Sequence, residues 1–181
     1  MTFHPPASVL AAGYVSGEYK VSLPAWNLVL RGAMAGAYIG MGAALMIMVT
    51  TGMEMTLGSG FSRLIAGMVF PLGVILTVLT GAELFTGDAM IAPMASFQGR
   101  ISWMMVIRLW ALVWAGNCAG ALLYAALMAW GPLMTVDSTG TGMITSAGIT
   151  TVGMAAAKCG GGSLHAIGSL ILSAIAAGWL L

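Results

Sequence analysis

The sequence predicts an all-α membrane protein: a bundle of transmembrane helices whose second crossing is broken. Three observations carry this: the composition, four long apolar stretches, and a polar interruption inside one of them. Of 181 residues, 60% are hydrophobic and 6% charged, where soluble domains average about 25% charged. Mean hydropathy is +1.00. Six Lys and Arg with five Asp and Glu cannot cover this much apolar surface in water, which excludes a soluble enzyme. A net charge of +1 offers no basic field for nucleic acid. The apolar runs suit helices rather than the short strands of a barrel.

A membrane-spanning helix needs about 20 apolar residues, and the stretches near 24–51, 61–97, 101–133 and 164–181 qualify. Residues 24–181 are therefore expected to form the transmembrane domain, and 1–23 a cytoplasmic leader. Within the leader, the segment from Ala7 to Lys20 reads either as a short interfacial helix or as a solvated tail. The opening residues MTFHPPASVLAAGYVSGEYK lack the basic start and cleavable apolar core of a signal peptide. Lys20, Arg31, Arg100 and Arg108 fall on one side of the expected spans, Arg63 and Lys158 on the other. The excess of Lys and Arg places the N-terminus in the cytoplasm. Gly32, Gly36 and Gly40 recur every fourth residue, as do Gly116 and Gly120. Such ridges let helix backbones approach closely in lipid. Cys118 and Cys159 are too few for a disulfide framework and read as small apolar filler.

The second stretch carries the functional signal. From Phe61 to Phe97 it is too long for one crossing and too short for two with a turn. In its middle, Gly81-Ala-Glu-Leu-Phe-Thr-Gly-Asp88 places two carboxylates and two glycines between apolar arms. Non-helical backbone survives at membrane depth only where protein buries it or it lines a water-filled cavity. Ionisable residues there mark pathways. The segment is therefore expected to break at 81–88 and line a permeation route. A competing account remains: Phe61 to Thr80 is long enough to cross alone, about 30 Å of helix, which would leave 81–88 as a turn at the far face.

GAELFTGDAM resembles the break motif of the formate/nitrite transporter family. AGMVFPLGVILTVLT resembles that family's second helix, and RGAMAGAYIGMGAAL, GRISWMMVIRLW and WAGNCAGALL resemble its first and third helices in order and spacing. The likeness covers about Pro24 to Trp130. It implies an aquaporin-like architecture of two inverted three-helix halves, incomplete here. It also implies a homopentamer in the cell membrane, a pore in each protomer, and passage of small monovalent anions with protons. Formate is the first expectation and nitrite the second; no cofactor or metal is implied.

The resemblance also assigns residues. Thr86 matches the family's loop threonine, and Leu84 and Phe85 match the residues that narrow the pore beside it. Phe70 and Val74 match an inner constriction, where the second position is usually Leu. Lys158 falls where the family has a pore-side lysine. It either gathers anions at a vestibule or is an interfacial, snorkelling lysine. Thr86 would hydrogen-bond an anion or merely satisfy loop backbone. Gly81 and Gly87 are expected to shape the break. Glu83 and Asp88, which would repel anions if ionised in the pathway, are expected to cap the half-helices. Asn117 reads chiefly as packing with a bond across helices.

The sequence departs from the family after Lys158. No Asn occurs between Lys158 and Leu181, and His165 lies too close to Lys158 to be the family's central histidine. The expectation is a fragment or truncated product, with a non-transporting remnant or accessory subunit as the alternative to an anion channel. The stretch Asp137-Ser-Thr-Gly-Thr-Gly lacks the Lys of a phosphate-binding loop and reads as a polar outer loop. Paired His ligands and intramembrane nucleophile–base pairs are missing from the sequence, so no enzyme is expected.

Overall fold

A computed structural model describes residues 4–131, 133–136 and 142–159. It contains α1 (Pro6–Ser22), α2 (Ala25–Thr50), α3 (Met53–Val69), α4 (Pro71–Thr80), α5 (Phe85–Phe97), α6 (Trp103–Trp130), β1 (Met134–Val136), β2 (Gly142–Ile144) and α7 (Ser146–Cys159). Among the described residues, Ala25–Thr50, Met53–Thr80 and Trp103–Trp130 are long and apolar enough to cross a membrane. The expected fourth span, 164–181, and His165 lie outside the described residues.

The frame is the pair α2 and α6, which run parallel and nearly backbone to backbone. A Cβ on Gly116 would come within 2.6 Å of the Val29 carbonyl, and one on Gly36 or Gly120 would overlap the facing backbone. Only residues without side chains permit that approach, and dispersion between close backbones holds helices together where lipid offers no hydrophobic drive. The predicted glycine ridges thus find each other. Antiparallel to α2, α4 uses the same device, with Gly42 against Phe70 and Gly73 against Tyr38.

The second crossing starts earlier than expected, at Met53 rather than Phe61. It bends at Gly58, whose φ of 81° and ψ of 161° are non-helical, and restarts at Pro71, where the missing N–H is tolerated. The leader folds over its expected helical segment. It is a 17-residue helix, α1, packed on α5. Gly17 makes the contact: a Cβ there would lie 3.0 Å from the Ala95 Cβ and 3.1 Å from the Ile91 carbonyl. Arg108 donates to the carbonyls of Val21 and Leu23 at the end of α1, and Arg100 pairs with Glu18 at 3.2 Å. The core joins α1, α2, α5 and α6 through Val21, Leu28, Ala92, Val106, Leu109 and Val113.

After α6 a short antiparallel ladder sets Met134 opposite Ile144 and Val136 opposite Gly142; the expected outer loop between its strands, 137–141, lies outside the described residues. Then α7 opens with the Thr145 hydroxyl accepting from Gly148 N at 3.2 Å.

Candidate functional site: the broken second crossing

The crossing opens where Gly81 ends α4. Its φ of 68° is left-handed, a conformation that costs any other residue except Asn or Asp appreciably more. The Gly81 N–H bonds the Val78 carbonyl at 3.3 Å and the Ala82 N–H bonds the Thr77 carbonyl at 3.0 Å, which satisfies the last carbonyls of α4. Leu84 is extended, at φ −106° and ψ 126°, and its carbonyl accepts from Gly87 and Asp88 as α5 begins. The break is therefore 81–84, narrower than the expected 81–88. Thr86, Gly87 and Asp88 belong to the first turn of α5, and Gly87 has no left-handed φ to justify a special role.

Its depth follows from its neighbours. Asn117 is the fifteenth of the 28 residues of α6, about 21 Å along a helix of about 42 Å. Its Oδ1 accepts from Phe85 N at 3.0 Å, and its Nδ2 donates to the carbonyls of Glu83 and Gly32, each at 2.9 Å. Glu83 N donates to the Arg31 carbonyl at 3.3 Å. The open backbone thus sits level with the middle of α6. From there α5 descends along α6, with Trp110 Nε1 donating to the Asp88 carbonyl at 3.2 Å and Phe97 edge-on to Trp103. The competing account, a turn at the far face, does not describe this arrangement.

The two carboxylates are not caps. Neither carboxylate accepts a backbone N–H at the break: α4 closes through the backbone N–H of Gly81, and the side-chain acceptor at the start of α5 is Asn117 Oδ1. Instead Lys20 Nζ donates to Glu83 Oε2 at 2.5 Å and to Asp88 Oδ1 at 2.6 Å. Arg31 Nη1 lies 3.6 Å from Glu83 Oε1. Glu83 is 4% exposed, Asp88 0% and Lys20 16%. The physical reason is that a buried carboxylate gains more from an ammonium than from the partial charge of a helix end. Burial alone pulls the Lys20 ammonium down, but its hydrogen bonds to Asp88 and Glu83 outweigh that and hold its pKa above the usual lysine value. Two cations and two anions leave the cluster neutral.

The remaining expected site residues are not gathered at one point. Phe70 and Val74 lie one turn apart on the α3–α4 rod, Phe70 half-buried and Val74 exposed. Leu84 is half-buried, and Phe85 packs on the core, its ring edge-on to Trp110 at 6.1 Å. Thr86 is exposed, and its hydroxyl bonds no described residue. Lys158 falls in the last turn of α7, and its side chain lies outside what is described. Sequence reasoning undervalued Lys20, treated only as a topology charge, and Asn117, treated chiefly as packing. The signal for Lys20 was two carboxylates in an apolar stretch with no cation near them in sequence.

A helical membrane protein with one crossing opened into two half-helices against the middle of a neighbouring span defines a class: the channel and transporter folds built on discontinuous helices. Within that class, the profile of the formate/nitrite transporters matches residues 7–181, and the chain belongs to that family. It is 34% identical over 154 residues to a "Probable formate transporter" of Methanothermobacter thermautotrophicus, covering 84% of this chain and 56% of the relative. It is 35% identical over 123 residues to the formate channel FocA of Escherichia coli (strain K12), covering 68% and 42%. Among solved structures it is similar to an FNT family ion channel, with a TM-score of 0.64 and 28% identity over 74% of this chain and 54% of that one. The chain spans about half the length of these curated relatives. The family consists of transporters, so the chain is not an enzyme, and it is a multi-pass membrane protein.

Proposed function

We propose that this chain supplies part of a pathway for small monovalent anions, formate foremost and nitrite next, crossing the cell membrane together with protons. The carrying observation is the break at Gly81–Leu84, held level with the middle of α6. It brings the N-terminal end of α5 to the break, and the partial positive charge of a helix start favours a negative charge. Thr86, exposed in the first turn of α5 with its hydroxyl unclaimed, is the hydrogen-bond donor to the passing anion. Phe70, Val74, Leu84 and Phe85 form apolar collars that exclude water. Lys158 gathers anions at a vestibule. Glu83 and Asp88 would repel an anion if left bare, but Lys20 and Arg31 neutralise them. A bare anion cannot shed its water in an apolar collar, so it passes as the weak acid or under strong hydrogen bonding. The protein acts as a homopentamer with its N-terminus in the cytoplasm. Arg100 and Arg108, at the start of α6, bond Glu18, Val21 and Leu23 at the end of α1, which supports that orientation.

The test is uptake of isotopically labelled formate by proteoliposomes carrying this chain, at acidic and neutral pH. Uptake that rises on acidification, with unlabelled formate competing more strongly than nitrite, is expected. No uptake at either pH overturns the transport reading. Stronger competition by nitrite reverses the substrate order.

A further inference from the structure

We propose that Asn117 is the positioning residue of the break: its carboxamide sets the level at which the second crossing opens and fixes the starting turn of α5. This deepens the pathway reading and rests on it for its consequence, though not for its geometry. Opening a helix in the bilayer frees backbone groups that neither lipid nor a missing helical turn can satisfy. At this break Glu83 N is taken by the Arg31 carbonyl, while Glu83 O and Phe85 N are both taken by Asn117. One side chain therefore holds both sides of the Glu83–Phe85 step. Its second donor bond, to the Gly32 carbonyl, ties that grip to α2. The three partners also fix the amide's orientation, since both groups facing Nδ2 are carbonyls and the group facing Oδ1 is an N–H.

The requirement is specific to asparagine. Aspartate has the same shape but, ionised, no donor for the two carbonyls. Leucine matches the volume and supplies neither donor nor acceptor. Glutamine carries the amide one methylene further from α6 and displaces the break. The grip is rigid because α6 cannot slide along α2. The Cβ-free contacts at Gly32, Gly36, Gly116 and Gly120 bracket Asn117 on the same face.

The experiment uses the full chain in proteoliposomes, with two readouts. Backbone hydrogen exchange is followed by mass spectrometry on peptides covering 81–88 and α6, corrected for intrinsic rates, and labelled-formate flux is followed against pH. Asn117→Leu should speed exchange of the Glu83 and Phe85 amides about tenfold or more, because that backbone then opens locally, while most of α6 keeps its protection. Asn117→Asp is isosteric, so it folds if the role is packing alone. When protonated it regains one O–H donor, so its flux should recover toward wild type, and its exchange slow, as pH falls. A packing role would give Asn117→Asp the wild-type pH profile, and that result overturns the inference. So does unchanged exchange at 83–85 in Asn117→Leu. A wild-type chain that carries no anion while the exchange responses appear upholds the positioning and overturns the pathway reading.

Discussion

Replacing Lys20 by methionine tests whether the leader helix is bolted to the break by charge. Lys20 makes two short charge-assisted bonds, to Glu83 at 2.5 Å and Asp88 at 2.6 Å. After the substitution Glu83 keeps Arg31 at 3.6 Å. Asp88, fully buried and with Oδ2 already unpartnered, keeps no cation. Charge-assisted bonds are worth about 1.5–3 kcal/mol each, and removing one partner of a buried ion pair costs about 3–5 kcal/mol; Asp88 sets the upper part of that range. The assay is reversible unfolding in mixed micelles, followed by tryptophan fluorescence. Adding Asp88→Asn to Lys20→Met removes the orphaned charge and should recover more than half of the loss. Because the Lys20 pKa is raised in the fold, its contribution stands in full below the unfolded lysine value of about 10.4 and is lost only as pH climbs through the folded one. The gap between variant and wild type should therefore be flat from about pH 7.5 to 9.5 and close above it. A Lys20→Met chain within about 0.5 kcal/mol of wild type, or an Asp88→Asn addition that recovers nothing, refutes the reasoning.

Three further outcomes are expected. Gly120→Ala, whose Cβ would overlap the Ala33 backbone, should destabilise by about 1–3 kcal/mol or more, whereas Gly67→Ala, with open space around it, should be neutral or stabilise by up to about 1 kcal/mol; thermal melts in detergent compare them. Gly81→Ala should cost about 1–2 kcal/mol for its left-handed φ, and Gly81→Asn clearly less, in the same melts. Thr86→Val should leave stability unchanged but cut formate flux about tenfold or more, the worth of one hydrogen bond to a charged group, with Thr86→Ser retaining most of it.

Much of the fold was legible because its determinants are local. The spans follow from apolar length, the α2–α6 contact from glycines four apart, and the opening from Gly81 next to Ala82-Glu83 in an apolar run. The width of the break was not legible. Gly81 marks only where α4 stops; where α5 starts is decided by Asn117, 32 residues beyond Phe85. The start of α3 was missed because the continuous apolar run begins only at Phe61, yet the helix extends back to Met53 and accommodates Gly58 as a bend. The leader's docking was missed because a single Gly17 is no pattern until Ala95 and Ile91 are placed against it.

The carboxylates show why a local rule gave the wrong partner. Read along the chain, Glu83 and Asp88 have only helix ends within reach, so capping is the sole local way to satisfy them. Their actual partner lies 63 and 68 residues earlier. Charge balance offered a way to it. Two carboxylates that must be buried at membrane depth require cations at the same depth, and the chain has only six Lys and Arg to choose from. Arg63 and Lys158 fall at the opposite ends of the expected spans, and Arg100 and Arg108 belong to the turn into the third span and its start. Of the four that share a side, Lys20, Arg31, Arg100 and Arg108, the first two are found at the cluster. Charge balance thus narrows the partners of the break to four residues, one of them in the leader, where neighbours along the sequence offer none.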